Sequence, residues 1–404
     1  MKALEGLRLL DLTHMLSGPY ATMMLADLGM ETIKVEPPGR GEGTRRLLAS
    51  DPKNSRFGHG AYFMTLNRNK QSVTLNLKSE EGLALFYDLV RTADVVAYNF
   101  APGVAERLRI SHGVLCEVNP RVVTCSITGF GETGPRRDQV SFDLVAQGVG
   151  GGMSITGEPG GSPTRSGIPI GDLGGGVMGV IGILSALQAR ERTGKGQHVD
   201  ISMMDAQLSL LNYMATMHFL SEEVPGALGN GHFVHVPYGT FRASDGHLII
   251  AVIVDSFWHA LLDVVDIPEL RRPELDHQPG RWAARDEINA RLSDKLRTRT
   301  KAHWLERLRA ARVPSAPVND FREALEDEQT KARGMVVEVP VTDPASTGRV
   351  THVRQPGCPI KLSDASEPSF NAPPAVGEHN RAILGGLLGR SDAELSELAA
   401  RGVI

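Results

Sequence analysis

Short apolar runs and helical stretches alternate through the first half of the chain, and this alternation limits the possible folds more than any other feature. Leu7–Thr13 is an apolar run of the buried-strand kind. Ser17, Gly18 and Pro19 interrupt it, and Tyr20–Leu28 reads as a helix with Pro19 near its first turn. Gly29 closes that helix, and Glu31–Val35 is the next strand. A strand–helix–strand unit joins parallel strands. The pattern then repeats. Ser79 caps a helix whose first turn holds Glu80 and Glu81, where the helix dipole favours acids. Leu83, Phe86, Tyr87 and Val90 mark its buried face, Asp94–Asn99 is a strand, Val114–Val118 a helix and Arg121–Thr128 a strand. Such a chain is expected to fold as a doubly wound α/β domain.

The character changes after about Pro225. The stretch "PYGTFRASDGHLIIAVIV" has a hairpin pattern around Ser244-Asp245-Gly246, and polar, Arg-rich helices follow from Trp258 to Arg312. Short strands return at Val336–Val341 and Arg349–Val353, and Ser391 with Glu394 forms a capping box for a last helix. The expected division is 1–205, a linker at 206–224, a smaller α+β domain at 225–325 and a C-terminal part at 326–404.

Composition narrows the function. The 404 residues carry a net charge of −4, which argues against nucleic acid or a membrane surface as partner. Cys116, Cys125 and Cys358 lie far apart with no CxxC, which fits a reducing, cytoplasmic setting and no cysteine-based zinc site. Glu5 and Arg8 break any apolar leader core near the start. Leu173–Ala189 is uncharged but short for a bilayer and rich in glycine, so a buried helix is expected there.

Several motifs lead nowhere. "GFGETG" (129–134) follows a strand, but Pro135 and three charged residues stand where a dinucleotide site needs a helix. "TGKG" (193–196) lacks the rest of a P-loop, and His232 and His235 have no third metal ligand nearby. Asp172 is different. It opens the glycine-rich helix, with Gly171, Gly174, Gly175 and Gly176 around it and no base beside it. A helix N-terminus stabilises a carboxylate, which makes an N-cap the plainest role. The surrounding glycines let another molecule approach, and an exposed, ionised carboxylate without a metal suits a nucleophile.

The chain resembles the class III CoA-transferase family, which includes formyl-CoA transferase, carnitine CoA-transferase and the α-methylacyl-CoA racemases. The resemblance rests on "LEGLRLLDLTHMLSGPYATMMLADLGMETIKVEPPG" (4–39), "NRNKQSVTLNLKSEEG" (67–82), "NFAPGVAERL" (99–108), "NPRVVTCSITGFGETGP" (119–135), "GDLGGG" (171–176) and "RTGKGQHVDISMMDAQ" (192–207). Within the family the chain looks closest to the dicarboxylate-handling, succinate–hydroxymethylglutarate type. The resemblance implies a Rossmann-like large domain built from both chain ends, a smaller domain and an interlocked-ring homodimer. It implies Asp172 as the nucleophile and acyl-CoA as substrate, with no tightly bound cofactor and no metal.

For CoA binding, the resemblance points to His14, Met15, Leu75, Lys78, Asn99, Phe100, Ala101 and Arg107. Arg40 would stand in for a family arginine replaced by Pro37, and Arg137 or Arg136 for a basic residue replaced by Val140. Leu16 takes the place of a glutamine. Gly174 and Gly175 would offer N–H groups to an oxyanion. Gly231 lies in "GNGHFVHVPYG" (229–239), where formyl-CoA transferase has a four-glycine loop, so formate–oxalate chemistry is not expected. Arg45, Arg46 and Arg165 are candidates for a distal carboxylate. The racemases pair the aspartate at the position of Asp172 with a histidine in a Gly-His-Asp stretch; here Ser141, Phe142 and Asp143 match that stretch, and phenylalanine carries no proton. Racemisation of a 2-methylacyl-CoA is therefore the second reading, and a non-catalytic CoA-binding protein the third.

Overall fold

The computed structural model describes residues 2–345, 348–366 and 369–404. The chain forms two compact units, Met1–Gly152 with Arg165–Leu220 and Lys331–Ile404, and Met153–Thr164 with Ser221–Thr330.

The first unit holds a parallel sheet. Its early elements are β1 (Arg8–Asp11), α1 (Ser17–Asp27), β2 (Glu31–Glu36), a two-residue hairpin of β3 (Ser55–Arg56) and β4 (His59–Gly60), α2 (Ala61–Asn67), β5 (Lys70–Thr74) and α3 (Glu80–Val90). There follow β6 (Val95–Tyr98), α4 (Val104–Arg107), α5 (His112–Val118), β7 (Val123–Thr128), α6 (Asp143–Val149), α7 (Ile170–Thr193), β8 (His198–Ser202), α8 (Met203–Leu211) and α9 (Tyr213–Ser221). The sheet order is β5-β2-β1-β6-β7-β8. Successive residues of a strand point to opposite faces. Leu9 and Val95 therefore pack with α1 and α7 on one side, and Leu10 and Val96 pack with α3 on the other. The strand order reverses between β1 and β6, and an open α/β sheet leaves a crevice at that point, beyond the strands' C-terminal ends.

The second unit pairs β9 (Tyr238–Ala243) with β10 (Gly246–Ala251) in a hairpin, and β10 with β11 (Ser315–Pro317). Helices α10 (Asp255–Val265), α11 (Gln278–Ala283), α12 (Arg285–Leu296) and α13 (Lys301–Ala310) cover it, with Trp258 and Trp304 in its core. The chain then re-enters the first unit as the antiparallel pair β12 (Val336–Thr342) and β13 (Val350–Pro356). Ile383, Leu384, Leu395 and Leu398 join the same core as Leu10 and Phe86.

Two boundaries differ from expectation. Residues 206–224 are largely helical rather than a linker, because Ser202 caps α8 and no proline interrupts the apolar run before Pro225. Residues 153–164, expected to belong to the first 205, fall in the second unit. There the Gly229 N–H donates to the Gly157 carbonyl at 2.9 Å.

Helix α7 is long and apolar enough to cross a membrane, but half of its apolar stretch is buried. Its glycines let α1 and β7 come close. A Cβ at Gly176 would lie 2.7 Å from the Ser17 carbonyl oxygen, whereas one at Gly174 would meet nothing nearer than 3.4 Å. Alanine gains about 1 kcal/mol over glycine in a helix interior. That gain is expected to hold for Gly174→Ala. Gly176→Ala is expected to lose about 1–3 kcal/mol instead, since a backbone oxygen must move. Thermal denaturation of the two variants checks this, and equal midpoints would refute the packing account.

Candidate active site

Two turns meet at the switch point. The turn after β1 carries His14 to Ser17, and the turn after β6 carries Asn99 to Pro102. The Asn99 side chain clamps the first turn, accepting from the His14 N–H and donating to the His14 carbonyl, both at 2.7 Å. Lys34 Nζ donates to the Thr13 carbonyl at 2.9 Å. These bonds hold Met15 at a φ of 61°, a conformation non-glycine residues seldom adopt.

Asp172 faces this turn from the first turn of α7. The N-cap is Pro169, so the N-cap reading of Asp172 is not what forms. Asp143 does the capping from another helix. Its Oδ1 accepts from the N–H groups of Gly171 at 2.8 Å and Asp172 at 3.3 Å, while its Oδ2 accepts from Gln147 Nε2 at 2.8 Å. Asp172 is therefore half-buried and faces a like charge, rather than exposed and free of neighbours. Burial first, and then the Asp143 carboxylate, push its pKa up to about 6.

Asp172 lines a cavity of about 230 Å³ with His14, Met15, Ser17, Tyr62, Asn99, Phe100, Ala101 and Phe142. Burial, with Lys34 next, pulls the His14 pKa down to about 4, so the imidazole is neutral at pH 7. Burial, with Asp172, Glu42 and Asp143 adding to it, pushes the Tyr62 hydroxyl up to about 12, so it keeps its proton. A second cavity of about 300 Å³ shares Phe100, Ala101, Pro102 and Thr128 with the first, and Arg137 lines it.

The other expected residues lie elsewhere. Leu75 is only 2% exposed and packs in the sheet core, so its side chain meets no ligand. Arg40, Lys78 and Arg107 are exposed and line neither cavity. The Asn99 amide is engaged by the His14 backbone. Gly174 and Gly175 are no oxyanion donors: they lie inside α7, where each N–H bonds back along the helix, and their lack of a side chain serves packing. Gly231 belongs to the second unit, in a turn where its N–H donates to the Leu228 carbonyl at 2.9 Å. Arg45 is not free for a substrate, because it makes a two-pronged bond to Glu36 at 2.6 and 2.7 Å. Sequence reasoning missed Tyr62 and the capping role of Asp143. Asp143 lies 28 residues before the N–H group it caps most closely, and no local signal joins them.

A carboxylate nucleophile candidate at the switch point of a doubly wound sheet defines a class, and comparison with known proteins identifies it. The CoA-transferase family III model matches residues 4–380. The chain belongs to that family and is a CoA-transferase. It is 40% identical over 366 residues to the acetyl-CoA:oxalate CoA-transferase of Acetobacter aceti, covering 90% of each chain. It is 38% identical over 392 residues to the succinyl-CoA:mesaconate CoA-transferase of Haloarcula marismortui, covering 95% of this chain and 96% of the relative. Among solved structures, a CAIB/BAIF family protein from Brucella suis superposes with a TM-score of 0.82 at 35% identity, covering 96% and 99% of the two chains.

Proposed function

We propose that this transferase moves CoA between dicarboxylic acids, with succinyl-CoA or a similar dicarboxyl-CoA as donor and Asp172 as the covalent nucleophile. One observation carries the reading: Asp172 faces the first cavity from a capped helix terminus, paired with no cation among the described residues. Its carboxylate attacks the thioester carbonyl, the C–S bond breaks and CoA leaves as thiolate, giving an aspartyl mixed anhydride. The thiolate then attacks the aspartyl carbonyl and releases the donor acid as carboxylate. The acceptor acid reverses both steps. With the α7 glycines occupied, the protonated Tyr62 hydroxyl supplies a donor for the developing oxyanion. CoA is a substrate here, and no resident cofactor enters these steps.

Names of two relatives support a dicarboxylate, one acting on succinyl-CoA and mesaconate and one on oxalate. The second reopens oxalate as an acceptor, which the missing four-glycine loop had argued against. Racemisation is disfavoured: Phe142 lines the Asp172 cavity where the racemases carry the histidine that pairs with the aspartate, and it carries no proton. A homodimer is part of the proposal. Phe219 and Leu220 are about four-fifths exposed on the first unit, apolar surface that a partner copy would cover. The reducing-type cysteine pattern supports work in the cytoplasm.

Isotope exchange tests the reading. Native protein with succinyl-CoA and heavy-labelled succinate should yield labelled succinyl-CoA, read by mass spectrometry. Absence of label with succinate and with a panel of other labelled dicarboxylates would overturn it.

A further inference from the structure

A line of side chains crosses the outer strands of the sheet and ends at the second cavity. Glu132 lines that cavity. Its Oε2 lies 3.1 Å from His198 Nε2, His198 Nδ1 lies 2.7 Å from Thr124 Oγ1, and Thr124 Oγ1 lies 2.9 Å from His112 Nδ1. Chemistry orders the donors. An ionised carboxylate only accepts, so His198 donates from Nε2. In the tautomer with its proton on Nε2 alone, His198 accepts at Nδ1 from the Thr124 hydroxyl, whose oxygen then accepts from His112 Nδ1–H. Thr124 is fully buried in β7. The main chain is held as well: the Glu132 N–H donates to both Asp200 oxygens, at 3.1 and 3.2 Å. The His198 hydrogen bond, chiefly, holds the Glu132 carboxyl below its ordinary range.

The mechanism above uses none of this. A carboxylate has room for about four hydrogen bonds, and the chain to His198 takes one of them. The cavity walls are Tyr98 and Phe100, with Glu106 and Arg137 also present. Two carboxylates against one guanidinium make a poor phosphate pocket. They make a good acceptor set for N–H groups on an apolar-walled ligand. An acyl-CoA carries such groups on its adenine and on the two amides of its pantetheine arm.

We propose that Glu132 accepts an N–H of the CoA handle, and that His198, Thr124 and His112 are positioning residues that aim it. This rests on the reading that the adjoining Asp172 cavity takes the thioester. Aiming a part-exposed carboxylate through a hydrogen-bonded histidine resembles the device that orients ligands around metals.

Equilibrium titration of the full-length protein with free CoA is the test. Glu132→Ala should weaken binding by about tenfold or more, as expected for a hydrogen bond to a charged acceptor. Glu132→Gln keeps the shape and loses the charge, and should weaken it too, which guards against a folding artefact in the alanine variant. His198→Ala should weaken binding in the native background but add nothing to Glu132→Ala. Additive losses would overturn the positioning role. Native affinity in both Glu132 variants would overturn the contact while leaving the transferase reading intact. Native protein that fails to bind CoA at all would overturn both. Repeating the titration with 3′-phospho-ADP separates the sources: a loss retained there assigns the adenine amino group, and a loss confined to CoA assigns a pantetheine amide.

Discussion

Asp172→Asn is expected to abolish CoA transfer and to raise the stability of the protein above neutral pH. Both effects follow from one side chain. An amide cannot form the aspartyl anhydride, and removal of a covalent nucleophile costs at least about 10³-fold in kcat. The stability effect comes from the raised pKa. In the unfolded chain the carboxyl ionises near 3.8, and in the fold near 6. The folded state therefore holds its proton more tightly, and its full stability is present below pH 3.8. Stability is lost as pH rises from 3.8 to 6 and stays lost above. Water partly screens this half-buried group, so the loss is about 1–2 kcal/mol. Asparagine removes it. The variant should melt higher than the native protein at pH 8, with the gap closing toward pH 4. The native rate should fall about tenfold per pH unit below pH 6 and level off by pH 7, as a single ionised group demands. A native rate that is flat from pH 5 to 8, or a variant that melts lower at pH 8, would remove Asp172 from this role.

Local chemistry was legible in the sequence and distant chemistry was not. Ser79 accepts from the Gly82 N–H as its helix cap, and Ser391 with Glu394 forms the capping box, because both signals span three residues. The alternation of Leu9 and Leu10 across two cores could be read in the same way. Strand β5 escaped, since Lys70 and Ser72 sit where an apolar pattern would be sought. Both are buried, and their partners are Asp11 and Glu36, 59 and 36 residues away. Asp172 was found because its glycines are adjacent in sequence. Its raised pKa was not foreseen, because Asp143 is not. The glycines themselves were misassigned for a related reason: a helix consumes the N–H groups that a loop would leave free.

Asp11→Ala is expected to cost about 3–5 kcal/mol, the usual penalty for leaving a buried charge without its partner. Asp11 is fully buried at the end of β1. It accepts from Lys70 Nζ at 2.9 Å, Thr22 Oγ1 at 3.0 Å and the Thr13 N–H at 2.9 Å, and Lys34 Nζ stands 3.8 Å away. Burial alone would push its pKa up, but the two lysines and these hydrogen bonds outweigh it and hold the carboxyl well below the usual range. Burial, partly offset by Asp11, already pulls Lys70 down to about 8. Without Asp11 that offset vanishes, and Lys70 gives up its proton closer to neutrality. The unfolded chain then binds more protons than the fold between neutrality and pH 10, so the variant's stability should rise with pH across that window. Chemical denaturation at pH 7 and pH 9.5 checks both the cost and its slope. Asp11→Ala with Lys70→Met should recover part of the loss, because an apolar pair needs no partner. A loss under about 1 kcal/mol, or no recovery in the double variant, would show that the network is not held together by charge. The site would feel the change as well. Asp11 receives the Thr13 N–H and Lys34 holds the Thr13 carbonyl, so the turn that places His14 and Met15 opposite Asp172 hangs from this buried charge.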